Sequence, residues 1–250
     1  MLDYPIVFFL ISLVLLWLSA QIGIYLHRFR TLKDDERDDF NTVQAATLTL
    51  LGLIIGFSFS MAISRYDQRK NYEEAEANAI GTEYVRAGLL PAAEAATVRG
   101  QLRKYLELRI LYYKTRNHSE LQKINDDTAQ LQNDMWLAVQ NPALANPTPV
   151  SALAVWGMND VLNSQGYTQA AWWNRIPSSA WALMVGMAIC CNVLTGYGAR
   201  GAGVKSGLLF VLPMIAAIAF LLIADIDSPR RGFIHVVPQN LVSLLESLPK

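Results

Sequence analysis

TLTLLGLIIGFSFSMAISRYDQR, residues 47–69, is the stretch that decides the fold. It opens as a run of apolar and small residues long enough to cross much of a bilayer, which takes about 20 residues in a helix. It then passes into Arg65, Asp67 and Arg69 with no Pro or paired Gly between. The sequence therefore predicts one helix that leaves the membrane and continues in water to about Leu90, where Pro91 breaks it. Gly81 and Gly88 are its weak points, each costing up to about 1 kcal/mol relative to Ala.

Outward from that stretch, the chain reads as a membrane protein. Of 250 residues 52% are hydrophobic and only 17% are charged, against about 25% charged in a soluble domain. Formal net charge is zero, which gives no sign of nucleic-acid binding. Four segments qualify as spans: 5–26, 42–63, 178–196 and 207–224. The first has Asp3 and no basic residue before it and is longer than a signal-peptide core, so it is expected to be retained. Trp17, Trp172, Trp173 and Trp181 suit interfacial positions or ordinary packing. Basic residues near the span ends are balanced: Arg65, Arg69, Lys70, Arg175, Arg230 and Arg231 against Arg28, Arg30, Lys33, Arg37, Arg200 and Lys205. Charge therefore does not set the orientation.

The expected fold is an all-α integral membrane protein with four transmembrane helices per subunit and a helical soluble domain inserted between the second and third. Residues 1–63 form a first transmembrane hairpin, 64–175 the soluble domain, 176–224 a second hairpin with a Gly-rich turn, and 225–250 a tail. In the soluble domain, Val98, Leu102, Tyr105, Leu106, Tyr112 and Tyr113 form one apolar face. Leu121, Ile124, Thr128, Leu131, Met135 and Ala138 recur three and four apart, the seam of a packed helix. Ser119 is the expected N-cap of that helix. Asn141-Pro142 and Asn146-Pro147-Thr148-Pro149 are expected to end it, with a further helix over 150–164.

Gly52 and Gly56 form a small-xxx-small motif suited to helix packing. Thr49, Leu53, Phe57, Ser60 and Ser64 follow one another by about a turn on an adjacent face. Around a shared axis, Leu53 and Phe57 would make a hydrophobic constriction able to gate ions by dewetting. Against lipid or other helices they would be ordinary packing. Arg65, Asp67, Arg69, Lys70, Glu73, Glu74 and Glu76 then supply either a solvated salt-bridge network or the charged mouth of such a path. Asp225 and Asp227 are placed to pair with Arg230 and Arg231 or to contribute to a cation site, although two carboxylates fall short of a calcium shell. The adjacent Cys190 and Cys191 lack metal-ligand spacing and read as small apolar residues of a buried helix. No catalytic, nucleotide or metal signature occurs, so neither an enzyme nor a cofactor is expected.

Gly56-Phe57-Ser58-Phe59-Ser60 followed by Ser64-Arg65-Tyr66 resembles the second transmembrane helix of bestrophins. More of the chain resembles an uncharacterised bacterial family called bestrophin-like. That likeness lies in GLIIGFSFSMAISRYDQRK, EEAEANAIGTEYVRAGLLP, DIDSPRRGFIHV and QNLVSLLESL. The resemblance implies a homopentameric ion channel of the bacterial inner membrane, with the soluble domain and both termini in the cytosol. It places Leu53 and Phe57 in the pore neck, with Thr49 where bestrophins have a third apolar ring, and Ser60, Ser64 and Arg65 at the mouth. Its partners would be lipid, inorganic ions and its own copies. The acidic calcium clasp of animal bestrophins is not matched by Asp225 and Asp227 alone. A non-conducting scaffold or sensor, with the soluble helices binding a partner, is the alternative.

Overall fold

The computed structural model describes residues 4–29, 32–33, 35–199 and 206–249. Asp3, Arg30, Arg200 and Lys205, together with residues 201–204 of the Gly-rich turn, lie outside the described residues. Eight α-helices run in order among those described: α1 (Pro5–Phe29), α2 (Arg37–Arg86), α3 (Ala92–Lys114), α4 (His118–Ala145), α5 (Pro149–Trp173), α6 (Ser178–Gly198), α7 (Ser206–Asp227) and α8 (Gln239–Ser247). No strand occurs among the described residues. Four helices are long and apolar enough to cross a membrane: α1, the first part of α2, α6 and α7.

The chain divides into two compact units. Unit 1 comprises residues 1–65 and 175–235, and unit 2 comprises 66–174 and 236–250. Residues 236–249 thus fold with the inserted helices.

In unit 1, α1 packs on α6 and α7. The inward line of α1 is small: Ser12, Leu16, Ser19, Ala20 and Gly23 are buried. It meets Met184, Ala188, Cys191, Asn192 and Gly196, buried on α6. A Cβ at Gly23 would lie 2.1 Å from the Val193 carbonyl oxygen, and one at Gly196 would lie 2.0 Å from that of Ala20. Only glycine allows the two backbones to come this close, which is how helices associate where lipid is as apolar as leucine. Phe8, Trp181 and Phe220 close the seam with edge-on and tilted ring contacts. Cys191 is buried there, whereas Cys190 is exposed. Trp181 therefore packs inside unit 1.

In unit 2, the end of α2 packs with α3, α4, α5 and α8 around Ile80, Val98, Leu102, Tyr105, Leu106, Met135, Met158 and Val161, all nearly or fully buried. The apolar face expected on α3 is this core. Trp172 belongs to it as well, packed on Tyr112 and Tyr113 at 5.3 Å, whereas Trp173 is 74% exposed.

Three local expectations are corrected. Asn117, not Ser119, caps α4: its extended backbone lets Oδ1 accept the Ser119 N–H at 3.0 Å, and the Ser119 hydroxyl donates to the same oxygen. Pro142 does not end α4, which runs to Ala145. A proline one turn from a helix end removes a single N–H, and the Asn146 N–H still reaches the Pro142 carbonyl. Finally, α5 continues past Ser164 to Trp173, started by a Thr148–Ser151 capping box.

Candidate functional site: the exposed line of α2

The helix expected from residues 47–69 is present, and it is unbroken from Arg37 to Arg86, followed by a short 3₁₀ turn, Ala87–Leu89. No turn interrupts residues 63–73. At about 100° per residue, the buried Leu51, Ser58 and Ala62 fall on one line. Arg69 continues it, 2% exposed. Thr49, Leu53, Phe57, Ser60 and Ser64 fall roughly 160–240° round from it, on the opposite side. All five are exposed within the chain, Leu53 at 51% and Phe57 at 63%. Ile54 sits half-buried beside the inward line.

Gly52 and Gly56 are exposed too, and a Cβ at either would meet nothing within 4 Å. Within one chain, the close helix approach uses Gly23 and Gly196 instead. Arg65 does not share the line of Ser60 and Ser64; it is half-buried on the inward side with Ala62 and Arg69.

Asp225 and Asp227, both 3% exposed, end α7 in unit 1. The Asp225 carboxylate accepts the backbone N–H groups of Phe233 and Ile234, each at 2.8 Å. Asp227 accepts the N–H of Ile176 at 3.1 Å. The Arg231 guanidinium lies 4.5 Å over the Tyr4 ring. These carboxylates organise the chain around the end of α7, and Gly232 is needed there because a Cβ would stand 2.2 Å from the Asp225 carbonyl oxygen.

In unit 2 the charged cluster is divided: Arg69, Glu73 and Glu76 are buried, whereas Asp67, Lys70 and Glu74 are exposed. Glu76 and Arg109, both fully buried, form an ion pair, and Thr168 donates its hydroxyl to Glu76 at 3.0 Å. Burial works against the Arg109 charge, and Glu76 more than offsets it, so the guanidinium titrates above its ordinary range. Arg109 also stacks 4.4 Å over the Tyr112 ring. Glu73 caps α8, accepting from the Leu241 N–H at 3.0 Å and the Asn240 amide at 2.6 Å. Sequence reading missed both arrangements, because the partners lie 33 and 168 residues away.

A family model described as "Bestrophin-like domain" matches residues 7–241. No curated protein sequence matches. Among solved structures, a bacterial bestrophin homologue from Klebsiella pneumoniae superposes with a TM-score of 0.64 at 14% identity, covering 96% of this chain and 99% of that one. A single-residue variant of that homologue gives 0.66 at 12% identity, covering 96% and 97%. At these identities the structures speak for the fold alone. The family match spans nearly all of both units, and the chain belongs to the bestrophin-like family of multi-pass membrane proteins.

Proposed function

We propose that the chain is one subunit of a homo-oligomeric, pentameric ion channel in which the exposed line of each α2 faces a shared axis. One observation carries this reading: that line mixes Thr49, Ser60 and Ser64 with Leu53 and Phe57. By contrast, α1 turns Ile6, Val7, Leu10, Ile11, Val14 and Leu18 outward. A wholly apolar face suits lipid, whereas hydroxyls in a membrane helix suit a protein or water contact. Leu53 and Phe57 would form stacked apolar rings that dewet when narrow. The Thr49 hydroxyl is already donated to the Ala45 carbonyl at 2.9 Å, so it brings less polarity to the neck than its composition suggests. Ser60 and Ser64 would line the mouth, and Arg65 would brace the helix from its inward side. Gly52 and Gly56 would let a neighbouring subunit approach. The channel would sit in a bacterial inner membrane with residues 64–175 and both termini in the cytosol. Reporter fusions at the C-terminus and in residues 141–149 should both report cytoplasm.

The deciding experiment is ion flux through purified protein in liposomes, with anion and cation gradients tested separately and subunit number read by native mass spectrometry. A ring of four or more that conducts supports the channel. A monomer or dimer that passes neither kind of ion overturns it. A second reading, a scaffold that binds a partner, draws on an open apolar pocket of about 780 Å³ between α4 and α5. Trp136, Leu144, Val155 and Trp156 line it, and Leu144 and Trp156 are 72% and 69% exposed. This fits the size of a ligand or side-chain site, and the non-conducting outcome would favour it.

A further inference from the structure

Within unit 2, the last turn of α2 carries a carboxylate unlike its neighbours. Glu73 and Glu76 are buried with full sets of partners. Glu83 is also wholly enclosed, yet neither of its oxygens has a hydrogen-bond partner. It rests against α5 at Gly157, where an added Cβ would lie 2.0 Å from Oε2. The Arg86 guanidinium reaches the same glycine from one turn further along, its Nη1 2.9 Å from that Cβ position. Arg86 comes from the same helix and Asp160 from α5; these are the charges acting on Glu83. Arg99 on α3 approaches this end of α2, but its Nε is donated to the Tyr84 carbonyl at 3.1 Å.

We propose that Glu83 is a proton-operated latch: protonated, it is held against Gly157 and ties the end of α2 to α5, and its ionisation weakens that hold and favours release of the contact. The latch stands independently of ion conduction. An ionised carboxylate with no hydrogen bond is costly to bury, whereas the neutral acid is tolerated. Burial raises the Glu83 carboxyl from 4.5 to about 8, Arg86 opposing and Asp160 adding to the rise.

The sign follows from proton binding. Between about 4.5 and about 8 the closed state holds a proton that the released state sheds. Closure is therefore fully favoured at low pH and weakens as pH rises through that window. The opening equilibrium should grow by up to about tenfold per pH unit and flatten above pH 8.

The test is amide hydrogen exchange of the full-length protein in lipid nanodiscs, followed from about pH 5.5 to about pH 9 and corrected for intrinsic exchange. Protection across residues 80–89 and 154–161 should fall with pH and then level off. Glu83→Gln, isosteric and always neutral, should keep protection high and independent of pH. Asp160→Asn should bring the plateau to lower pH and Arg86→Gln to higher pH, opposite shifts that a purely structural role would not produce. Protection in the native protein that does not change with pH would overturn the latch. So would a pH response that persists in Glu83→Gln.

Discussion

The chain has two pairs of glycines in its membrane helices, and they are used in opposite ways. Gly23 and Gly196 let α1 and α6 touch backbone to backbone, with no room for a methyl group. Gly52 and Gly56 touch nothing within the chain. In sequence, the second pair is the conspicuous one, spaced one turn apart on a single helix. The first pair is 173 positions apart and carries no local signature. Small-residue spacing reports that a helix has a smooth face; only the fold says whether that face is already covered. A covered face is part of the subunit's stability, and an uncovered one is open to lipid, water or another copy.

The largest effect expected lies in unit 2, where polar burial does the work that glycine contact does in unit 1. Glu76→Gln removes the charge opposite Arg109 and leaves a fully buried guanidinium uncompensated, which costs about 3–5 kcal/mol. Chemical denaturation in detergent should show unit 2 unfolding at much lower denaturant than in the native protein. A change below about 1 kcal/mol would mean that the pair is reached by solvent and that this half of the contrast is wrong.

Next is the covered seam. Gly196→Ala places a methyl 2.0 Å from the Ala20 carbonyl oxygen. The α1–α6 backbones must separate, and overpacking of this kind costs about 1–3 kcal/mol. Thermal unfolding of the membrane unit should shift down clearly, and Gly23→Ala should act alike.

The four spans and the length of α2 were legible because long apolar runs and an absence of helix breakers are local properties. So was the period of α4, where Ile124, Thr128 and Met135 are buried as expected. What escaped is non-local or nearly balanced. Glu76 reads as part of a solvated salt-bridge network or a charged mouth until the fold brings Arg109 of α3 against it. Asn117 and Ser119 are both good caps, and sequence does not rank two candidates two residues apart. Pro142 is tolerated because so close to the helix end it removes a single N–H, and the Asn146 N–H still reaches its carbonyl. For the candidate site, the spacing of Leu53, Phe57 and Ser60 was readable, but not whether their line faced inward. Arg65 is expected at the mouth with Ser60 and Ser64, but it lies about 100° from Ser64 on the helix and half-buried, which a list of mouth residues does not convey.

A smaller structural effect, with a large functional one, is expected at Phe57. Its side chain is 63% exposed within the chain, so Phe57→Ala opens no cavity inside a subunit. Subunit stability should stay within about 0.5 kcal/mol of the native value. If the residue forms an apolar ring, flux should rise or lose its gating, and Leu53→Ala should follow it, while the half-buried Ile54→Ala should affect flux less. A strongly destabilised Phe57→Ala protein with unchanged flux would show that the exposed line packs on something other than a pore axis.

The smallest effect is expected at the uncovered glycines, and it bears most directly on the comparison. Gly56→Ala adds a methyl that meets nothing in the chain and replaces a residue about 1 kcal/mol poorer as a helix former. The isolated subunit should therefore be unchanged or slightly firmer, the reverse of Gly196→Ala. Any loss must come from between subunits. Gly56 lies roughly 140° from the buried line and Gly52 roughly 100°, between that line and the neck residues. A neighbouring copy packed around the axis would come up against this flank. If it does, each added methyl pushes adjacent α2 helices apart, and native mass spectrometry should show a lower share of intact oligomer for Gly56→Ala, more so for the double change with Gly52→Ala. If subunit stability, oligomer share and flux all stay at their native values, the two glycines face lipid, and their spacing carries no packing role at all.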